Sequence, residues 1–141
     1  MARLKLSLPD DLPFATELSV RVGDVNYGGH LGNDSLLGLL HEARIRFLGS
    51  LGYSELDVAG QGLIMGDVAI VYKAQAFLGE NLRIGVGTMD FTGSGCDVVY
   101  RVTLVADSAV IALAKTGIVL FDYERGRPVR WPEEARAKFA R

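Results

Sequence analysis

Apolar and polar positions alternate from residue 14 to residue 22. Phe14, Thr16, Leu18, Val20 and Val22 fall on one side, Ala15, Glu17, Ser19 and Arg21 on the other. Period two over this length predicts a strand with one buried face. Residues 23–33, GDVNYGGHLGN, break the pattern with four glycines in eleven positions. Such a loop can approach a ligand closely or take positive φ. Asn33, Asp34 and Ser35 can each cap a helix, and Leu36, Leu40, Ala43, Phe47 and Leu51 then recur at spacings of three and four. This predicts a helix over 34–51, stopped by Gly52. Gly38 inside it costs about 1 kcal/mol relative to Ala, which implies that the helix packs closely on backbone there.

Beyond a loop at 53–61 the pattern turns to strands. Leu63–Tyr72 is almost wholly apolar, as in a strand buried on both faces. Leu82, Ile84, Val86 and Thr88 alternate, as do Val98, Tyr100, Val102 and Leu104, and Val110–Phe121 is a second long apolar run. Short turn signals at 78–81, 92–95 and 106–108 imply antiparallel neighbours. Trp131-Pro132-Glu133-Glu134 opens a short terminal helix. The whole is one α+β domain over residues 1–141: a strand, a Gly-rich loop, one long helix, then four strands. One helix cannot cover both faces of five strands, so the sheet curls around it or pairs with a second copy.

Composition narrows the function. A chain of 141 residues fits one domain and can bury a core without staples. A net charge of −2 excludes a nucleic-acid binder acting through bulk charge. The single Cys96 excludes a disulfide framework and a multi-cysteine metal site, and the two histidines are too few for a His-rich centre. No apolar run approaches a membrane span, and the N-terminus lacks the apolar core of a signal peptide, so a soluble cytoplasmic protein is expected. Cys96 lies in no nucleophile motif and is expected to pack at a strand start.

Candidate chemistry gathers in the loop and the first turns of its helix: Asp24, Asn26, His30, Asn33, Asp34, His41 and Glu42. A helix start presents unpaired N–H groups at the positive end of a dipole. Donors of this kind stabilise the oxyanion formed in acyl transfer. The bland alternative is a set of caps and solvated charges.

The stretch Asp24-Val25-Asn26-Tyr27-Gly28-Gly29-His30-Leu31-Gly32-Asn33, followed by Leu40-His41-Glu42-Ala43-Arg44, resembles the hotdog-fold acyl-CoA thioesterases. It is most similar to their 4-hydroxybenzoyl-CoA thioesterase-like branch. The resemblance follows the order of elements along the whole chain, including the Gly79-Glu80-Asn81-Leu82 turn. It implies one long helix wrapped by a five-stranded antiparallel sheet, a homo-oligomer (a dimer or a dimer of dimers), and hydrolysis of an acyl thioester, acyl-CoA first, without metal or redox cofactor. The family's second loop aspartate, its usual nucleophile or base, falls on Asn26, and an amide can neither attack as a carboxylate nor take the proton.

A second lineage of the fold pairs a loop amide with a backbone N–H seven residues on and a helix carboxylate fifteen residues on. Here those positions are Asn33 and His41, with Glu42 one further. The resemblance thus implies Asn26, Asn33 and either His41 or Glu42 as catalytic residues. Angle on the helix favours His41, family chemistry favours an acid, and Glu42 can simply pair with Arg46 at i+4. Asp24, Tyr27, His30, Asp67 and Ser94 are the candidate substrate contacts, Asp67 because a carboxylate is unexpected in an apolar run. Two alternatives stand beside hydrolysis: a non-catalytic acyl-thioester binder, suggested by Asn26, and an enoyl-CoA hydratase using Asp24 and His30. The turn at 92–95 lacks the bases that meet coenzyme A phosphates in some relatives. Lys73 or Arg83 could replace them, or the acyl group could ride on an acyl carrier protein.

Overall fold

Short turns join only the later strands directly in a computed structural model that describes residues 1–141, and the turn at 78–81, expected between antiparallel neighbours, instead follows a crossing between strands that lie apart in one antiparallel sheet. The chain runs β1 (Phe14–Ser19), a 3-10 turn (Val22–Asp24), α1 (Asn33–Ser50), β2 (Gly62–Tyr72), β3 (Asn81–Met89), β4 (Gly95–Leu104), β5 (Val110–Asp122), β6 (Arg127–Pro128) and α2 (Glu133–Phe139). The five long strands lie in the order β1-β3-β4-β5-β2, and the two-residue β6 adds a sixth against β5. No helix is long and apolar enough to cross a membrane.

Strand periodicity sends alternate residues to opposite faces. Ile84 and Val86 of β3, Val98, Tyr100 and Val102 of β4, and Ala112, Ala114 and Thr116 of β5 point inward and are fully buried. They share one core with Leu36, Leu40, Ala43, Phe47 and Leu48 of α1. Each large side chain so buried contributes about 1.5–3 kcal/mol. The terminal helix closes one end. Phe139 packs between Phe47, Tyr53 and Trp131, and the Trp131 indole donates to the Gly95 carbonyl at 2.9 Å. One helix embraced by a curved antiparallel sheet is the hotdog arrangement.

Four local expectations are corrected. First, the alternating strand ends at Ser19, and Val22 is exposed, because the Asp24 carboxylate accepts the Arg21 N–H at 2.9 Å and closes the 3-10 turn. Second, α1 begins one residue early, at Asn33. Gly32, extended at φ −70° and ψ 150°, is its N-cap, and no side chain caps it. Third, Gly38 is not a close-packing site: a Cβ there would meet nothing within 4 Å, because the residue faces an open groove. Fourth, β2 is not buried on both faces. It ends the sheet and pairs only with β5, so Met65, Val68 and Tyr72 stay exposed.

Candidate active site

Backbone hydrogen bonds sew the loop shut before any side chain is considered. The Asp24 carbonyl accepts Gly32 N–H at 2.9 Å, and the His30 carbonyl accepts Asn26 N–H at 2.9 Å. The Asn26 carbonyl accepts Gly29 N–H, while its side-chain Oδ1 accepts Gly28 N–H at 3.0 Å. Gly29 sits at φ +83°, a conformation that favours glycine. Leu31 N–H then donates to Ala76 O at 2.8 Å, fixing the loop to the segment after β2. With its Oδ1 occupied, Asn26 has its NH2 left to offer.

Between this loop, the start of α1 and the end of β2 lies a cavity of about 140 Å³. Asn26, His30, Asn33, Tyr72 and Gln75 give it a polar rim, and Leu31, Leu36, Ala76 and Ile111 give it an apolar floor. Asn33 is the first helical residue, and its N–H has no acceptor in the chain. It is therefore one of the orphan donors at the positive end of the helix. The Tyr72 hydroxyl donates to the Asn33 carbonyl at 3.0 Å. Burial, then the nearby Asp34 carboxylate, pushes the Tyr72 phenol above its usual range, so it remains a donor at neutral pH. His30 packs edge-on against Phe77 with ring centres 6.0 Å apart. A Cβ on Gly28 would stand 3.0 Å from His30 Nε2 and 3.3 Å from Asn26 Oδ1, so the two side chains crowd the same space.

The remaining sequence candidates lie elsewhere in the chain. His41 sits eight residues past Asn33, about 12 Å along the axis at 1.5 Å per residue, and its Nε2 is 2.9 Å from Glu55 Oε1. Glu42 pairs with Arg46 at 2.8 Å and lines a separate polar groove between α1 and β1. Asp24 is buried and spends its carboxylate on Arg21, so the Asp24–His30 pair is not assembled in the cavity. Tyr27 is fully exposed on the opposite side of the loop.

Asp67 lies on the outer face of the sheet, because Val68, Ile70 and Tyr72 take the inward positions opposite Thr116, Ala114 and Ala112. Its carboxylate holds Lys115 at 2.7 Å and Gly117 N–H at 3.1 Å. The Lys115 bond holds that carboxyl below the usual range. Ser94 precedes β4 at the end of the sheet away from the loop, about 30 Å distant at roughly 3.3 Å per residue. Cys96 is buried, and burial pushes its thiol up to about 12, so it is not a nucleophile at neutral pH.

Tyr72, Ala74, Gln75, Ala76 and Ile111 are cavity residues that sequence reading missed. Tyr72 had a signal: it keeps the inward parity of Val68 and Ile70 at the end of an apolar run. Arg130 is a further surprise. It brings a base to the turn at 92–95 from a distant segment, 3.7 Å from where a Gly93 Cβ would stand. No group of three or more acidic, His or Cys side chains could hold a metal ion.

Comparison with known families settles what this architecture is. The model of the thioesterase-like superfamily matches residues 20–139, nearly the whole chain. The chain belongs to this superfamily. Solved structures carry the same fold at low identity. A Thermus thermophilus thioesterase complexed with coenzyme A and Zn is 24% identical, with a TM-score of 0.78 over 91% of this chain and 98% of that one. A 1,4-dihydroxy-2-naphthoyl-CoA thioesterase from Synechocystis is 19% identical, with a TM-score of 0.81 over 89% and 94%. A thioesterase-superfamily protein from Jannaschia is 20% identical, with a TM-score of 0.83 over 93% and 83%. No curated protein matches by sequence. For this thioesterase-like chain, thioester hydrolysis is thus the general chemistry, and the loop, the start of α1 and Tyr72 are where its fold places a cavity.

Proposed function

We propose that the protein hydrolyses an acyl-CoA thioester in the cavity between the Gly-rich loop and the start of α1. The observation that carries this reading is the unpaired backbone N–H of Asn33, a residue that lines a cavity with apolar walls. A thioester carbonyl oxygen placed there gains charge as water attacks, and a preorganised donor at the helix start stabilises that charge without reorganising. The Asn26 NH2 orients the substrate or the water. An amide can hold a water but cannot deprotonate it, so a titrating group must stand beside it. Within one chain His30 is that group. His41, tied to Glu55 and two helical turns away, serves only if it faces the cavity of another copy, and it is exposed enough to do so. The reaction adds water across the acyl–sulfur bond and releases a carboxylic acid and the thiol.

Release of free thiol from a panel of acyl-CoA esters, alongside absorbance of enoyl-CoA hydration, tests the proposal. Thiol release that saturates with substrate is the expected result. Saturable binding without release is the result for a binding module, the reading that Asn26 favours. Hydration without release contradicts hydrolysis outright.

A further inference from the structure

Two local hydrogen bonds hold the first turn of α1. Gly32 N–H donates to the Asp24 carbonyl at 2.9 Å, and Leu36 N–H donates to the Gly32 carbonyl at 3.1 Å. Gly32 has no side chain with which to cap the helix, and the N–H groups of Asn33, Asp34 and Ser35 all lack an acceptor in the chain. Helix ends of this kind fray. A third bond comes from the sheet. Tyr72, the last residue of β2, donates its hydroxyl to the Asn33 carbonyl at 3.0 Å, the one hydrogen bond between residues 32–36 and a strand.

The place of that bond matters because peptide units are planar. The Asn33 N–H lies in one peptide plane with the Gly32 carbonyl, which Leu36 holds, and the next plane carries the Asn33 carbonyl, which Tyr72 holds. With both planes held, φ and ψ of Asn33 are fixed and the N–H keeps its direction. We infer that Tyr72 is a positioning residue for the oxyanion donor, acting through the Asn33 carbonyl rather than on the substrate. The inference rests on the thioester reading of Asn33 and adds the group that keeps this donor preorganised. Burial, then the Asp34 carboxylate, raises the phenol above its usual range, so the bond persists across neutral pH.

Tyr72→Phe keeps the ring and removes only the hydroxyl. With the acyl-CoA ester that the protein turns over fastest, thiol release should show kcat lowered about fivefold, the effect of one hydrogen bond, with KM unchanged. In the Asn33→Pro background, which has no N–H to position, the same change should leave kcat where it is. Amide exchange followed by NMR needs no activity: Tyr72→Phe should speed exchange of the Leu36 N–H by about the same factor of five. A kcat in Tyr72→Phe equal to that of the unaltered protein overturns the inference and leaves hydrolysis standing. So does an equal loss of kcat with and without the Asn33 N–H, or unchanged exchange at Leu36. Faster exchange in a protein that releases no thiol sustains the tether and overturns hydrolysis. Should Asn33→Pro not fold, kcat in Tyr72→Phe and exchange at Leu36 decide between these outcomes.

Discussion

Asn26 keeps the shape of an aspartate and gives up its charge, and the loop uses what remains. Its Oδ1 pins Gly28 N–H, and its NH2 is free at the cavity rim beside His30. His30→Ala should therefore lower turnover by about 10²–10⁴-fold, the usual loss of a positioned base. His41→Ala and Glu42→Ala should stay near the wild-type rate, because their partners are Glu55 and Arg46. Loss of activity in His41→Ala with His30→Ala active would move the base to α1. Asn26→Asp should keep or raise turnover, since it restores a carboxylate at this position. The loop residues were legible because their chemistry is concentrated in eleven consecutive positions. Tyr72 and Gln75 were not, because strand register and a β-to-loop exit bring them in from some forty residues away. An angle on a helical wheel also does not reveal that Glu55, from the following loop, stands 2.9 Å from the His41 side chain.

The long helix shows the same limit one level up. Its bounds were readable to within a residue from apolar spacing, yet its buried stripe also contains Arg44, which spacing alone assigns to solvent. Glu55 accepts from Arg44 Nε at 3.1 Å, Arg44 donates to the Tyr100 hydroxyl at 3.3 Å, and Tyr100 meets Thr116 Oγ1 at 2.7 Å. This buried chain ties helix, loop and sheet together. Glu55→Ala would leave the Arg44 guanidinium buried without its counter-charge and should cost about 3 kcal/mol in urea unfolding. A cost under half of that would mean that water reaches Arg44. Gly38→Ala should act oppositely and gain up to about 1 kcal/mol, since the added methyl meets no atom and the helix loses its most flexible residue. A loss of stability there would show that the groove is filled in solution.

Over the whole molecule, the sheet ends in β2, whose outer edge is unpaired and whose inward residues Val68 and Tyr72 lack cover. An open apolar edge is a template for pairing, and a dimer through β2 is the expected assembly. Light scattering at micromolar concentration should give about twice the 15.2 kDa chain mass, and Val68→Lys should return it to the monomer. Opposite that surface, the outer face carries Lys115 between Asp67 and Asp97. Because Asp67 titrates lower when folded than unfolded, its stabilisation is complete above the unfolded value of about 3.9 and disappears as pH falls through the folded one. Asp67→Asn should flatten that acid limb of stability. The apolar run of β2 could not reveal an edge position, because apolar side chains alone do not tell whether a further strand pairs beside them.

In the proposed reaction the Asn33 N–H receives the thioester oxygen, and one pair of variants isolates that donor. Proline is well tolerated at the first position of a helix, and Gly32 already holds the extended conformation that must precede it. Asn33→Pro therefore deletes the donor while keeping the helix, and Asn33→Ala keeps the donor while deleting the side chain. Turnover measured by thiol release should fall by about 10²–10³-fold in Asn33→Pro, the usual loss of one oxyanion donor, and stay close to wild type in Asn33→Ala. A folded Asn33→Pro that releases thiol at the wild-type rate would contradict the claim.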